Sequence, residues 1–257
     1  MNKILTEIIS KIVIPAEFGP RDDEDFELPP IFYEVLSKYD VEWDWRNGAS
    51  KLVLVFPEFG VALKIPFNGF FERYNETPEF SECADCEVSR CCRNNCPFSI
   101  EWETNEGFSE FSGADVEDNW NYCKVEAEYY QIAKDAGCEK FFARTEFLGL
   151  TANNYPVYIQ ELCIPSDECG DDVEKKYNSC SQHSKTKAKE IREQTRDYFG
   201  RYWSTLAVEV YGEELFETFL KYFAKEHSEM FGDMHSGNYG YRADGTPVIF
   251  DFSDYMG

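Results

Sequence analysis

Three residues near the end of the chain, Asp233, Asn238 and Asp251, have side chains that could bind a metal ion and accept a proton. Gly232 and Gly237 lie in the segment that holds the first two, which favours a loop. A carboxylate and an amide oxygen are ligands that Mg²⁺ prefers, so Asn238 and Asp251 could hold Mg²⁺ against a phosphate. Asp233 would then accept the proton of an attacking hydroxyl. Each could instead be an ordinary turn residue, but three together before the apolar run VIFDF favour a site.

The dipeptide Asp244–Gly245 lies between Asn238 and Asp251 and is a strong signal for a β-hairpin turn. A hairpin at this point folds the chain back on itself. The sequence therefore predicts that Asp251 returns to the neighbourhood of Asn238.

The pattern D-x-H-x-G-N, followed by a hairpin and then by D-F-S, resembles the catalytic end of the protein-kinase-like superfamily. The Asp–Asn spacing matches the usual kinase form, but Phe231 and Gly232 stand where that form has histidine and arginine. The histidine and the Gly-Asn pair resemble the atypical kinases of ubiquinone biosynthesis, and the Gly-Asp pair resembles RIO and aminoglycoside kinases. Short kinase-like proteins of phage and bacterial genomes, some of which end close to the metal-binding Asp, are similar too.

The resemblance implies a lysine on an upstream strand that contacts the phosphates of ATP. The segment GVALKIPF supplies Lys64, next to the small residue Ala62 on the same side of the predicted strand. The apolar residues of this strand point to the other side. The alternative is a lysine on the exposed face of an edge strand. The residues expected on the apolar side are Val61, Leu63 and Ile65.

The same resemblance requires a glutamate on the following helix to orient that lysine. Residues 119–137 have helical periodicity and end at Gly137, which suits a C-terminal stop. They offer Glu126 and Glu128, which face different directions on a helix, so only one can pair with Lys64. The apolar residues that follow Glu126 are spaced as in the helix of the family that the chain resembles, which favours Glu126, and Glu128 is the alternative.

Two further segments take the places that the resemblance assigns to nucleotide binding. Before the lysine strand, RNGASKLVL has small residues whose N–H groups phosphate can approach, although such a stretch also forms ordinary turns. After it, YIQELC falls where the backbone of an interlobe hinge would bind adenine. The expected ATP-binding residues of these segments are Gly48, Ala49, Ser50, Gln160, Glu161 and Leu162.

The chain has 49 acidic and 25 basic residues among 257, which gives a net charge of −24. Such a surface repels nucleic-acid phosphates, so direct DNA or RNA binding is not expected, and it attracts basic partners such as a basic protein acceptor. It also repels ATP unless the site has cations of its own. Plain solubility and mimicry of nucleic acid toward a DNA-binding protein are two other interpretations of this charge.

Ten cysteines are present, and the N-terminal segment has no small-residue cleavage site, so export is not indicated. Five of them cluster in SECADCEVSRCCRNNCPF, where a C-x-x-C pair and two more thiolates could close a tetrahedral zinc site. Reduced thiols and disulfides are the alternatives. The expected ligands of a structural zinc are Cys83, Cys86, Cys92 and Cys96, with Cys91 competing with Cys92.

The periodicity of the remaining chain predicts further helices and strands. SKLVLVF and GVALKIPF predict an antiparallel hairpin, and FFARTEFLGL and YPVYIQELC predict two more strands. Residues 165–185 are polar and predict a linker, whereas residues 186–227 predict two helices broken near Gly212. An amphipathic helix opens the chain, and the residues expected on its apolar face are Ile4, Leu5, Ile8, Ile9 and Ile12.

With these elements, the resemblance implies an α+β, bilobal protein-kinase-like fold with a small antiparallel-sheet N-lobe and a truncated, mainly helical C-lobe. The expected organisation is an N-terminal extension over 1–44, an N-lobe over 45–163 with a cysteine-rich insertion at 67–118, and a truncated C-lobe over 164–257. No run of 18 apolar residues is present, so no membrane span is expected. A cytoplasmic location is expected, in the host cytoplasm if a phage encodes the chain.

The implied function is Mg-ATP-dependent transfer of a phosphoryl group to a hydroxyl of a protein or a small molecule. Little sequence follows the metal-binding Asp, so the usual acceptor platform is missing. This favours a second hypothesis, a catalytically weak nucleotide-binding pseudokinase that acts by protein–protein contact. An acidic mimic of nucleic acid is the third hypothesis. The joint presence of Asp233, Asn238, Asp251 and Lys64 favours the enzyme.

Overall fold

A computed structural model describes residues 2–16, 18–19, 26–48, 50–67, 121–194, 199–226 and 234–252. The chain is of the α+β class and divides into two compact units. The first unit comprises Met1–Val125 with Glu146–Ile159, and the second comprises Glu126–Thr145 with Gln160–Met256.

Two short helices, α1 (Asn2–Ile9) and α2 (Pro30–Leu36), belong to the first unit. The predicted apolar face of α1 is confirmed except for Ile4, which is 40% exposed. α2 starts with Pro30 in its first turn, where the N–H that proline lacks would have no helical partner. The buried residues of the predicted face are Leu5, Ile8, Ile9 and, beyond the end of α1, Ile12.

A five-stranded sheet lies mainly in the first unit. Its strands are β1 (Asp44–Asn47), β2 (Lys51–Phe56), β3 (Val61–Pro66), β4 (Thr145–Leu150) and β5 (Pro156–Glu161). Their order in the sheet is β1-β2-β3-β5-β4, so β3 is the central strand. The predicted hairpin is confirmed, because β2 and β3 are antiparallel and a short 3-10 turn at Pro57–Phe59 joins them. β1, which pairs antiparallel with β2, was not predicted.

The apolar alternation of β2 and β3 builds the core of the first unit. Directly opposite residues of antiparallel strands share a face of the sheet, and Leu54 is opposite Leu63. This face, which continues onto β5, is buried against α1 and α2, and burial of apolar surface contributes about 25 cal/mol per Å². The strand residues of this core are Leu52, Leu54, Phe56, Val61, Leu63, Ile65, Val157 and Ile159.

Among the described residues, five further helices follow the first three strands, and three of them overlap residues 186–227, where only two were predicted. They are α3 (Tyr122–Asp135), α4 (Gly170–Ser179), α5 (Gln182–Gln194), α6 (Gly200–Tyr211) and α7 (Glu213–Glu226). The predicted stop after α3 is confirmed, since Gly137 has φ of 72°. The predicted break is confirmed as well, since Gly212 separates α6 from α7 with φ of 86°.

The predicted polar linker over residues 165–185 is wrong, because α4 occupies 10 of its residues and α5 begins before its end. On α4 only Val173 is buried, and Tyr177 packs on Tyr202 of α6 with ring centroids 4.6 Å apart. Because α4 contacts the rest of its unit through only a few side chains, its sequence has no broad apolar stripe that would predict a helix. Its polar residues face solvent, so the segment has the composition of a loop.

The second unit contains a small sheet of three strands, β6 (Ile164–Pro165), β7 (Tyr239–Tyr241) and β8 (Pro247–Ile249), in that order. β7 and β8 form the predicted hairpin, and Gly245 in its turn has φ of 80°. The buried indole of Trp203 on α6 donates from Nε1 to the carbonyl oxygens of Gly240 and Val248, at 3.0 and 3.3 Å. These bonds anchor the hairpin to the core of its unit.

None of the helices in the described ranges combines the length and the apolar character that a membrane span requires.

Candidate functional site

The β7–β8 hairpin places Asn238 next to Asp251 in the second unit. Tyr239 is opposite Ile249 in the hairpin register, so the residues just outside this pair also face each other. The backbone carbonyl of Asn238 accepts hydrogen bonds from the peptide N–H groups of Phe250, at 3.0 Å, and Asp251, at 3.1 Å. Asn238 is 8% exposed and Asp251 is half-buried. The predicted convergence of the two residues is therefore observed at the backbone level.

A tight turn leads into Asn238. Its peptide N–H donates to the carbonyl of His235 at 2.9 Å, and the N–H of Gly237 donates to Nδ1 of His235 at 3.0 Å. Because Nδ1 is an acceptor here, the neutral imidazole carries its proton on Nε2. A Cβ at Gly237 would lie 2.9 Å from the ring, so the turn requires glycine. Asp233, the expected base, lies outside the described residues.

Lys64 lies on the central strand of the first sheet and is 4% exposed. The alternative of a lysine on the exposed face of an edge strand therefore does not hold. Val61, Leu63 and Ile65 belong to the apolar core, whereas Ala62 and Lys64 do not, as the alternation predicts.

A second buried lysine, Lys51, was not singled out from the sequence. It is 5% exposed and opens β2, directly after the turn that contains Gly48 and Ser50. Lys51 is opposite Pro66 and Val53 is opposite Lys64, so the two lysines share the sheet face that lies away from the apolar core. They are diagonal neighbours across the strand pair, which places their Cα atoms about 7–8 Å apart. The signal in the sequence was weak, because K-L-V-L-V-F puts Lys51 in phase with Val53 and Val55 and out of phase only with the core residues Leu52, Leu54 and Phe56.

The turn before Lys51 connects β1 to β2. The N–H of Gly48 donates to the carbonyl of Lys51 at 3.0 Å, and the carbonyl of Ser50 accepts from the N–H of Phe67 at 2.9 Å. Neither a positive φ nor a neighbouring atom requires glycine at position 48. Ala49 lies outside the described residues.

Glu126 and Glu128, the two candidate partners of the lysine, differ sharply in burial. Glu126 is fully buried in the second unit, whereas Glu128 is exposed. A buried carboxylate is costly unless it is paired or hydrogen-bonded. One neighbour of Glu126 is Nε2 of Gln160, 3.5 Å from its Oε2.

The three residues expected at the hinge have three different environments. The side chain of Gln160 points into the second unit and is 3% exposed. Glu161 donates its peptide N–H to the carbonyl of Arg144 at 2.9 Å, so this N–H is already used in the sheet. No hydrogen bond to the peptide group of Leu162 is found among the described residues. The side chain of Leu162 is half-buried.

Gln160 connects three elements through one amide nitrogen. Its Nε2 donates at 2.7 Å to Oγ1 of Thr145 and at 2.7 Å to the carbonyl of Phe250. The carbonyl of Phe250 can only accept, which fixes the nitrogen of the amide on that side. Phe250 immediately precedes Asp251, so the bond holds the strand end that carries the expected metal ligand.

Arg242 on the loop after β7 is a further residue that the sequence did not reveal. Its Nε donates to Oε1 of Glu161 at 2.9 Å, and its other nitrogens donate to the carbonyls of Lys140 and Phe142 and to the hydroxyl of Tyr211, at 3.1, 3.0 and 3.0 Å. Burial raises the pKa of Tyr211 to about 12. The partners of Arg242 are far apart in sequence, so no local pattern indicates this network.

The zinc hypothesis falls on residues that the structure does not describe. Cys83, Cys86, Cys91, Cys92 and Cys96 all lie outside the described ranges. Within those ranges, no three histidine, cysteine or acidic side chains are grouped closely enough to hold a metal. The cysteines that are described are free thiols: Cys123, Cys138, Cys163, Cys169 and Cys180.

Comparison with models of protein families, with curated proteins and with solved structures gives no match to this chain. A functional assignment therefore depends on its own residues and their geometry.

Proposed function

We propose that this chain is a Mg-ATP-dependent phosphotransferase with a bilobal, kinase-like fold, which acts on a hydroxyl of a protein or a small molecule. The observation that carries the proposal is the double hydrogen bond from the N–H groups of Phe250 and Asp251 to the carbonyl of Asn238. It brings an amide and a carboxylate side chain to the same end of one hairpin. The spacing of Asp233, Asn238 and Asp251 in the sequence supports the same site.

The donor set fits magnesium rather than a softer metal. Asn238 and Asp251 offer hard oxygen ligands, and two protein ligands suffice because Mg²⁺ keeps waters and binds phosphate oxygens as well. A bound Mg²⁺ would neutralise negative charge on the transferring phosphoryl group. In this proposal Asp233 accepts the proton of the acceptor hydroxyl.

The proposal assigns the ATP phosphates to Lys64 and, in addition, to Lys51. A chain of net charge −24 repels ATP unless cations are concentrated at the site. Two buried lysines on one sheet face provide such a concentration in the first unit. Adenine is assigned to the peptide group of Leu162, with Gly48 and Ser50 in the turn before Lys51 nearest the phosphates.

Transfer from γ-labelled ATP tests the proposal directly. The protein is incubated with Mg²⁺ and labelled ATP, alone and with cell lysate, and label is followed on protein, on small molecules and on the chain itself. Label on an acceptor supports the phosphotransferase. ATP binding without transfer supports the pseudokinase that acts by contact. Absence of Mg-ATP binding contradicts both, and competition with DNA for a basic protein would then favour the acidic mimic.

Replacement of Glu126 by glutamine is expected to lower Mg-ATP-dependent turnover about tenfold or more, as loss of an orienting group does. Glu128→Gln on the same helix is the matched control, because Glu128 is exposed and its replacement should leave turnover unchanged. If Glu126 acts by orienting Lys64, then Glu126→Gln should have no further effect in a Lys64→Met background. Equal losses for the two glutamine variants would refute the assignment.

Replacement of Lys51 by methionine is expected to weaken ATP binding several-fold while adenosine binding is unchanged, because the lost charge faces only the phosphates. The control is Lys11→Met, which removes an exposed lysine paired with Glu7 and should change neither affinity. Titration of both nucleotides by calorimetry measures the effect. A loss of adenosine affinity equal to the loss of ATP affinity would show that Lys51 supports the fold instead.

A further inference from the structure

We infer that Gln160 is a positioning residue that ties the metal-ligand end of β8 to α3, and that it sets the dependence of nucleotide binding on Mg²⁺. This inference rests on the proposed function, and it assigns to Gln160 a role for its side chain rather than for its backbone.

The first step of the argument is the position of Gln160 on its strand. Val157 and Ile159 of β5 face the apolar core of the first unit, and residues that alternate with them face the other way. A buried strand position is normally filled by an apolar side chain, because a buried amide is costly unless it is hydrogen-bonded. Gln160 is 3% exposed, so its polar group needs partners, and it has them.

The second step is the identity of those partners. The amide nitrogen donates to the carbonyl of Phe250, the residue directly before Asp251. It also lies 3.5 Å from the carboxylate of Glu126 on α3. One side chain therefore contacts both the strand end that carries the expected metal ligand and the glutamate expected to orient the phosphate-binding lysine.

The third step concerns what else holds this strand end. The N–H of Ala143 donates to the carbonyl of Ile249 at 2.7 Å, which fixes β8 just before Phe250. The N–H groups of Phe250 and Asp251 are bound to Asn238. The carbonyl of Phe250 accepts from Nε2 of Gln160, so this side chain is bound to the peptide group directly before Asp251. Loss of this bond removes one restraint on that peptide, whereas the backbone bonds of Asn238 and Ala143 remain.

Gln160→Met is the informative variant, because it has a similar length and no donor. Binding of ATP is measured with and without Mg²⁺, and the ratio of the two dissociation constants is compared with that of wild type. The expected result is a roughly tenfold smaller effect of Mg²⁺ in the variant, in line with the loss of a group that orients a metal ligand. Affinity for ATP in the absence of Mg²⁺ should fall by less than affinity in its presence.

Thr145→Val is the matched control. It removes the other 2.7 Å hydrogen bond of the same amide but leaves the bond to Phe250 in place. It should lower thermal stability about as much as Gln160→Met and leave the effect of Mg²⁺ unchanged. If Gln160→Met does not fold, Gln160→Asn replaces it, since its amide is one methylene too short to reach Phe250.

The outcomes separate this inference from the proposed function. Wild-type protein that does not bind Mg-ATP contradicts the proposed function. Wild type that binds Mg-ATP, with an unaltered Mg²⁺ effect in the Gln160 variant, overturns the inference alone. An equally reduced Mg²⁺ effect in the Thr145→Val variant overturns the inference too, because the amide of Gln160 would then act only by stabilising the core.

Discussion

Asp251→Asn is expected to lower Mg-ATP-dependent phosphoryl transfer by about a hundredfold or more, as removal of one charge-stabilising group in a transfer site does. The change keeps the size of the side chain and removes the negative charge that is expected to bind the metal. The peptide N–H of Asp251 still donates to the carbonyl of Asn238, so the backbone geometry at the end of the hairpin is retained. Initial rates of label transfer at saturating Mg²⁺ measure the effect, and circular dichroism checks the fold.

Asp244→Asn is the matched control for Asp251→Asn, because both residues belong to the same hairpin. Asp244 lies in the exposed turn, where its Oδ1 accepts the N–H of Thr246 at 2.8 Å, and asparagine retains that acceptor. Its replacement should leave transfer within twofold of wild type. Unchanged transfer in Asp251→Asn would remove the metal-ligand role of Asp251. Equal losses in both variants would show a general dependence on acidic charge.

Several elements of the fold were predictable because their signals are local. The Asp-Gly pair requires a tight turn with a left-handed glycine, and Gly245 adopts it. Gly137 and Gly212 end helices for the same reason. The hairpin of β2 and β3 follows from alternating apolar residues on both sides of a short turn. In each case the residue types at the boundary determine the backbone conformation.

The elements that were not predicted depend on contacts between distant parts of the chain. α4 is polar almost throughout and is held by a few contacts, such as that of Tyr177 with Tyr202. Neither the buried amide of Gln160 nor the guanidinium of Arg242 has a local pattern that reveals its partners. The candidate site was likewise predictable only in part. Its spacing suggested Asn238 and Asp251, whereas the residues that hold them in place became visible only in the packed structure.

The position of Lys51 became clear only when the sequence pattern was combined with the strand register and the exposure of the side chain in the structure. The strand alternation places Lys51 on the face opposite Leu52, Leu54 and Phe56. The register adds that Lys51 is on the face of Lys64, and the exposure adds that both are buried. Only the combination shows two lysines on one buried face of the sheet.

Trp203→Ala is expected to lower the free energy of unfolding of the second unit by about 3–5 kcal/mol, the usual cost of truncating a large buried aromatic residue. The indole is buried, stacks on Phe199 with ring centroids 4.3 Å apart, and donates to the carbonyls of Gly240 and Val248. The substitution therefore leaves a cavity and removes the hydrogen bonds that tie α6 to the β7–β8 hairpin. Urea unfolding followed by far-UV circular dichroism measures the loss.

Val210→Ala on the same helix is the control, because Val210 is half-exposed and its truncation should cost less than about 0.5 kcal/mol. Trp203→Phe separates the two effects of the alanine change, since it retains a ring and loses only the N–H donor. Its free energy of unfolding should lie between those of wild type and Trp203→Ala. Trp203→Phe should also weaken Mg-ATP binding if the anchoring of the hairpin keeps Asn238 and Asp251 together. A Trp203→Ala protein as stable as wild type would contradict the packing described for the second unit. A destabilised protein with unchanged Mg-ATP affinity would show that the expected ligands do not depend on this anchor.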